Sequence, residues 1–178
     1  MRYEFKNKYL SVLSNVFNGE KYYFFKEPDK VVILPYAFTQ SGLSIIALVE
    51  PISIWGRDSE LTAVQGSKEE GENPHDCAVR ELLEETGFHC PYNDKEWTFI
   101  GKYHYTKSSV SKRYYFLVDI SNSEKIQKTT DGSEFERMTS VVVSSPKMAE
   151  ISSDMQLHFL VKCLIEKLSA NEQKPNNY

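Results

Sequence analysis

The sequence predicts an α+β protein, an α/β/α sandwich in which helices cover a mixed β-sheet. Three observations predict it. Short apolar and aromatic runs recur along the chain, a capped helix with two unlike faces sits near the middle, and a second amphipathic helix follows the last run.

The 178 residues suit one domain, and 40% hydrophobic with 26% charged residues supply one core and a polar surface. With 21 basic and 25 acidic side chains the net charge is −4. That balance excludes a global attraction to nucleic acid or an acidic membrane. A polyanionic ligand would need local help from a few Arg or Lys, or from a cation. Cys77, Cys90 and Cys163 fit no zinc or disulfide framework and read as reduced thiols. The opening MRYEFKNKYL lacks the apolar stretch of a signal peptide. No apolar run approaches the roughly 18 residues of a membrane helix. A cytoplasmic protein is the expectation.

Residues 8–26 read as a hairpin, because YLSVLSNVF and EKYYFFKE flank Asn18-Gly19, a dipeptide suited to a type I′ turn. VVILPY (31–36) and LSIIALVE (43–50) are strands joined across Gly42. Residues 51–60 open with Pro51 and read as a loop, followed by a short strand near Leu61–Gln65. The clearest helix is 74–86. Asn73 caps it, Pro74 suits its first turn, Asp76 favours its positive end, and Gly87 supplies a left-handed stop. WTFIGKYHY (97–105), RYYFLVDI (113–120) and MTSVVV (138–143) are further strands, with a long polar loop at 121–137. A last helix runs from about Asp154 to Leu168, and the tail after it reads as disordered.

The chemistry concentrates in GSKEEGENPHDCAVRELLEETGF, residues 66–88. At about 100° per residue, Ala78, Val79, Leu82, Leu83 and Thr86 share one arc of the helix, and Glu81, Glu84 and Glu85 share the opposite one. Carboxylates three and four residues apart are neighbours and repel. A solvated acidic face is one reading of them. A hard divalent cation, Mg²⁺ or Mn²⁺, is the other, because such ions take carboxylate oxygens.

The segment resembles the Nudix box, G-x(5)-E-x(7)-R-E-U-x-E-E-x-G-U with U bulky and apolar. Gly66, Glu72, Arg80, Glu81, Leu82, Glu84, Glu85, Gly87 and Phe88 fill its fixed positions. By chance the seven specified residues would coincide with a probability on the order of 10⁻⁹ per start site. The resemblance implies a hydrolase of diphosphate linkages. It implies metal ligation by Glu81, Glu84, Glu85 and the backbone carbonyl of Gln65, with Glu84 and Glu85 catalytic. It also implies that Glu72 and Arg80 brace the loop against the helix, and that Gly66 and Gly87 supply backbone freedom. A Glu outside the box often serves as ligand or general base, and Glu134 and Glu136 stand in the corresponding loop.

The layout is most similar to the ADP-ribose and nucleoside diphosphate sugar pyrophosphatase branch. It implies a hairpin extension over 1–30, a Nudix domain over 31–170, a tail over 171–178, and a homodimer paired through N-terminal strands. The chain differs from that branch at Ser108-Ser109-Val110, where a Ser-Pro-Gly turn is usual, and at Thr62-Ala-Val-Gln-Gly66, where Glu-Leu-Pro-Ala-Gly is usual. Tyr105, with Tyr103 nearby, lies at about the distance after the box where dinucleoside polyphosphate hydrolases carry a marker tyrosine. That cleavage, or nucleoside triphosphate cleavage, is an alternative. A non-catalytic nucleotide sensor on the same fold is another. Tyr22, Tyr23 and Trp55 are candidates for stacking on a base, and Arg57 for meeting a phosphate. Strand packing is the competing reading for Tyr103 and Tyr105.

Overall fold

The most apolar run of the chain lies at the centre of the structure. In the computed structural model, which describes residues 1–51, 59–126 and 139–172, it belongs to β4 (Lys30–Thr39). On one edge β4 pairs in parallel with β10 (Lys112–Asp119), which pairs antiparallel with β9 (Trp97–His104). On the other edge it has two antiparallel partners in succession. β7 (Val64–Ser67) takes Lys30 to Ile33, and β5 (Gly42–Glu50) takes Tyr36 to Thr39. Pro35, which has no N–H to give, falls in the gap between those partners. Beyond the gap β5 pairs with β6 (Glu60–Thr62), and its outer edge carries β12 (Ser140–Ser144).

Strand alternation builds the two cores. Val31 and Ile33 of β4 face α1 (Pro74–Thr86) and pack with Val64, Ala78, Leu82 and Phe116. Val32 and Leu34 face the opposite way, toward α2 (Met155–Glu172), and pack with Tyr115, Leu157, Leu160 and Leu164. All of these except Tyr115, at 7%, are at most 0% exposed. A sheet with a helix on each face is the sandwich expected.

Local chemistry sets the ends of both helices. The Asn73 side chain accepts from the His75 N–H at 2.9 Å, and Gly87 at φ 78° closes α1 with its N–H on the Leu83 carbonyl. Asp154 caps α2 through the Gln156 N–H, and its second oxygen accepts from Ala63 N–H, both at 2.9 Å. That one buried carboxylate ties helix to sheet.

The N-terminal region differs from the expected hairpin by one strand. β2 (Ser11–Phe17) and β3 (Glu20–Lys26) turn at Asn18-Gly19, and β1 (Arg2–Lys6) adds to the outer edge of β2. β1 was not recognised because RYEFK mixes charge and aromatics, and all five residues are exposed. The expected strand at 61–65 is two strands broken at Ala63, because its halves serve different partners. Within the long polar loop, β11 (Glu124–Lys125) pairs with β8 (Phe88–His89), just past α1. A 3-10 turn (Pro146–Ile151) precedes α2.

Asp154→Ala should destabilise the fold by about 3 kcal/mol, because it strips a cap and a buried N–H together. Asn73→Ala, which loses only an exposed cap, should cost about 1 kcal/mol. Urea denaturation of both variants checks the ratio, and equal losses would refute the tie between α2 and the sheet.

Candidate active site

The loop between β7 and α1 starts where Gly66 leaves the sheet. A β-carbon there would lie 1.7 Å from Cδ of Glu81 and about as close to both its carboxylate oxygens, at 1.9 and 2.1 Å. Gly66 is therefore needed for what it lacks. The Glu81 carboxylate occupies the space of the missing side chain, against the β7 backbone.

That contact changes the helix pattern. The sequence places Glu81 with Glu84 and Glu85 on the face away from the core, yet Glu81 is 6% exposed, while Glu84 and Glu85 are only partly buried. Val79 and Leu83 are partly rather than fully buried, and Cys77 joins the buried set. The helix lies on β7 rolled toward Glu81, because the one strand position beneath it without a side chain is Gly66. Burial pushes the Glu81 carboxyl up to about 7, with Glu84 and Glu85 adding to the rise and Arg80 opposing it.

Arg80 ties loop to helix. Its Nε and Nη2 donate to the two oxygens of Glu72 at 2.9 and 3.0 Å, a bidentate pair. Nη2 also donates to the Ser67 carbonyl at 3.1 Å. Nη1 donates to Glu81 at 2.9 Å and to Glu84 at 2.8 Å, so the two carboxylates converge on one positive atom. Glu72 in turn accepts from the Glu69 N–H at 2.9 Å, and its carbonyl accepts from the Lys68 ammonium. The Arg80 guanidinium holds the Glu72 carboxyl down at about 2. Among the described residues, no group of three or more His, Cys, Asp or Glu side chains is arranged to hold a metal ion. Glu134 and Glu136 lie outside the described residues, as do Trp55 and Arg57.

Gln65 points to the other face of the sheet. Its side-chain oxygen accepts from Arg113 Nη1 and from Gln156 Nε2, both at 3.3 Å. Arg113 also donates to Gln156 at 2.9 Å, faces Glu27 at 3.7 Å and stacks its guanidinium over Tyr105 at 4.0 Å. This network borders a cavity of about 260 Å³ lined by Tyr103, His104, Tyr105, Tyr115, Met155, Gln156 and Phe159. Tyr103, on β9, and Tyr105, one residue past its end, are 48% and 41% exposed, so both are accessible on the cavity wall. Tyr22 stands apart. It lies on β3, packs edge-on to Phe17 and donates to Glu20 at 3.1 Å; Tyr23 on the same strand is exposed.

Reading the sequence missed Lys30, Arg113, Gln156 and Glu50. Each sits at or near the end of an apolar strand or helix, where a polar residue reads as an element boundary. The faint signal was a cation opening each of two apolar strands, Lys30 before VVILPY and Arg113 before YYFLV.

A mixed sheet between two helices, with a glycine loop leading into a carboxylate-bearing helix on one face, defines a hydrolase of the diphosphate-cleaving class. The chain belongs to the Nudix family: the NUDIX domain model matches residues 27–155. It is a Nudix pyrophosphohydrolase. A solved structure titled as the crystal structure of an ADP compounds hydrolase has the same fold. It aligns with a TM-score of 0.65 at 16% identity, over 93% of this chain and 92% of that one. No curated protein matches the chain by sequence. Among the described residues, no helix is long and apolar enough to cross a membrane.

Gly66→Ala should displace Glu81, cut turnover by more than tenfold and lower stability by about 1–3 kcal/mol in denaturant unfolding; a wild-type rate and wild-type stability together would refute the close-contact argument. The Glu72–Arg80 pair sets an acid dependence. The folded Glu72 value, about 2, lies below its ordinary 4.5, so the pair contributes stability that is full above about pH 4.5 and lost as pH falls toward 2. The stability gap between wild type and Glu72→Gln should therefore narrow from pH 5 to pH 2. Denaturant titrations across that range test it, and a constant gap would exclude the pair as its source.

Proposed function

We propose that the chain hydrolyses the diphosphate linkage of a nucleoside diphosphate derivative, such as ADP-ribose or a sugar nucleotide, with Mg²⁺ or Mn²⁺. The observation that carries this reading is the convergence of Glu81 and Glu84 on Arg80 Nη1 beside Gly66. Two acidic groups drawn to one positive centre, one of them in a cradle that any β-carbon would fill, supply hard oxygen donors suited to such an ion. Glu81, Glu84, Glu85 and the Gln65 carbonyl would hold it. When bound, the ion neutralises diphosphate charge and makes a water molecule more acidic.

The chain's own residues do the rest. Arg80 and Glu72 hold the loop and the helix in one geometry, so the carboxylates stay positioned between turnovers. Glu134 or Glu136 takes the proton of the attacking water. The water oxygen bonds to phosphorus, the bridging P–O bond breaks, and a nucleoside monophosphate and a phosphorylated X leave. The cavity beside Tyr105 suits a flat ring system, since about 260 Å³ is smaller than a site for a whole drug-sized ligand. The likeness to a hydrolase of ADP compounds supports an adenine nucleotide there. The same tyrosines favour dinucleoside polyphosphate cleavage as the second reading. The N-terminal sheet exposes Tyr3, Phe17 and Tyr22 on one face and Phe5 and Tyr23 on the other, apolar surface that supports pairing of two copies.

Glu81→Gln and Glu85→Gln should each lower turnover by several orders of magnitude in Mg²⁺ or Mn²⁺, with thermal unfolding within a few degrees of wild type. The substrate panel is ADP-ribose, sugar nucleotides, dinucleoside polyphosphates and nucleoside triphosphates, with products identified. Full activity in both variants, or binding without cleavage across the panel, would overturn the reading.

A further inference from the structure

Lys30 is the first residue of β4, directly opposite Ser67 on β7 and Arg113 on β10. It therefore stands in the sheet one residue from the Val31–Gly66 pair, where the box begins. Its ammonium is half-buried. Among the described residues, no hydrogen-bond or ion-pair partner reaches it. The charged groups that act on it are Arg113, which repels it, and Glu27, Glu50 and Glu81, which attract it without contact.

This arrangement is costly by itself. A cation withdrawn from water is ordinarily paired, and burial holds this ammonium below the usual lysine range, with Arg113 adding to the effect. The nearby carboxylates do not serve as partners because each is held elsewhere. Glu81 binds Arg80, and Glu50 accepts from the Thr62 hydroxyl at 2.6 Å. Glu27 lies 3.7 Å from Arg113. Arg113 is itself committed to Gln156, Gln65 and the Tyr105 ring. Strand alternation puts its side chain on the face of Gln65 and Arg113, so Lys30 keeps three donors available beside the network that borders the aromatic cavity, at the sheet end where the box begins.

We propose that Lys30 is a phosphate-binding residue, whose free ammonium takes an anionic oxygen of the diphosphate substrate at the sheet end beside Gly66. The proposal rests on the hydrolase reading of the same site. It assigns to Lys30 the local positive charge that a chain of net charge −4 must provide for a polyanion.

The test uses the full chain and the variants Lys30→Met and Lys30→Arg. Calorimetric titration with ADP and with inorganic pyrophosphate, in buffer with EDTA, reads anion binding without turnover. Lys30→Met should weaken both by on the order of tenfold or more, the usual effect of losing one charge-assisted contact, and Lys30→Arg should recover most of the loss. In metal-supplemented assays Lys30→Met should raise KM by a similar factor and change kcat by less than about threefold. Its unfolding temperature should equal or exceed that of wild type, since a partnerless buried charge has been removed. Wild-type affinity in Lys30→Met, no measurable binding of either anion by the wild-type chain, or an unfolding temperature lowered together with the affinity would each overturn the proposal. Failure of the hydrolase reading looks different: anion binding would still depend on Lys30, while no substrate in the panel is cleaved.

Discussion

The structure depends on one close approach, the carboxylate of Glu81 lying in the space that a side chain on Gly66 would fill. It sets how α1 rolls on β7, which carboxylate of the helix is buried, and where Arg80 must reach. A buried carboxyl beside two further acids is unfavourable without a positive partner. Arg80 meets that need and in the same geometry forks onto Glu72, so loop and helix are locked by the interaction that relieves the repulsion.

The same economy of groups appears on the opposite face of the sheet. Gln65, adjacent to Gly66, turns its side chain toward α2 because strand residues alternate. There it meets Gln156 and Arg113, and the network leads to the aromatic cavity. Two successive residues of one short strand thus connect to the two faces of the molecule, Gly66 to the acidic helix and Gln65 to the aromatic wall. On the proposed reading, a substrate with an anionic centre and a flat ring would reach from one of these places to the other past the end of β7 at Ser67.

Supporting this is a splayed sheet. β4 uses one edge for two partners, β7 and then β5, with Pro35 in the gap. The splay opens the sheet beside Val64, the first residue of β7. At the other end of that pairing Lys30 begins β4 opposite Ser67 and Arg113 with no committed partner, while the rest of the strand to Tyr36 is buried.

Much of this was legible in the residues alone. The box spacing identifies the family chemistry, and the caps at Asn73 and Gly87 delimit α1, because both are local properties of adjacent residues. The unbroken apolar run VVILPY reads as a strand, and in the structure it is buried on both faces. What only the tertiary structure decided is which groups meet. Glu81 lies on the acidic arc of an isolated helix and becomes buried only because Gly66 faces it. Lys30, Gln65, Arg113 and Gln156 are far apart along the chain, and strand register with helix docking brings them together. Local sequence determines conformation through short-range sterics and hydrogen bonds, whereas the meeting of distant side chains follows from register and packing, which no single segment contains.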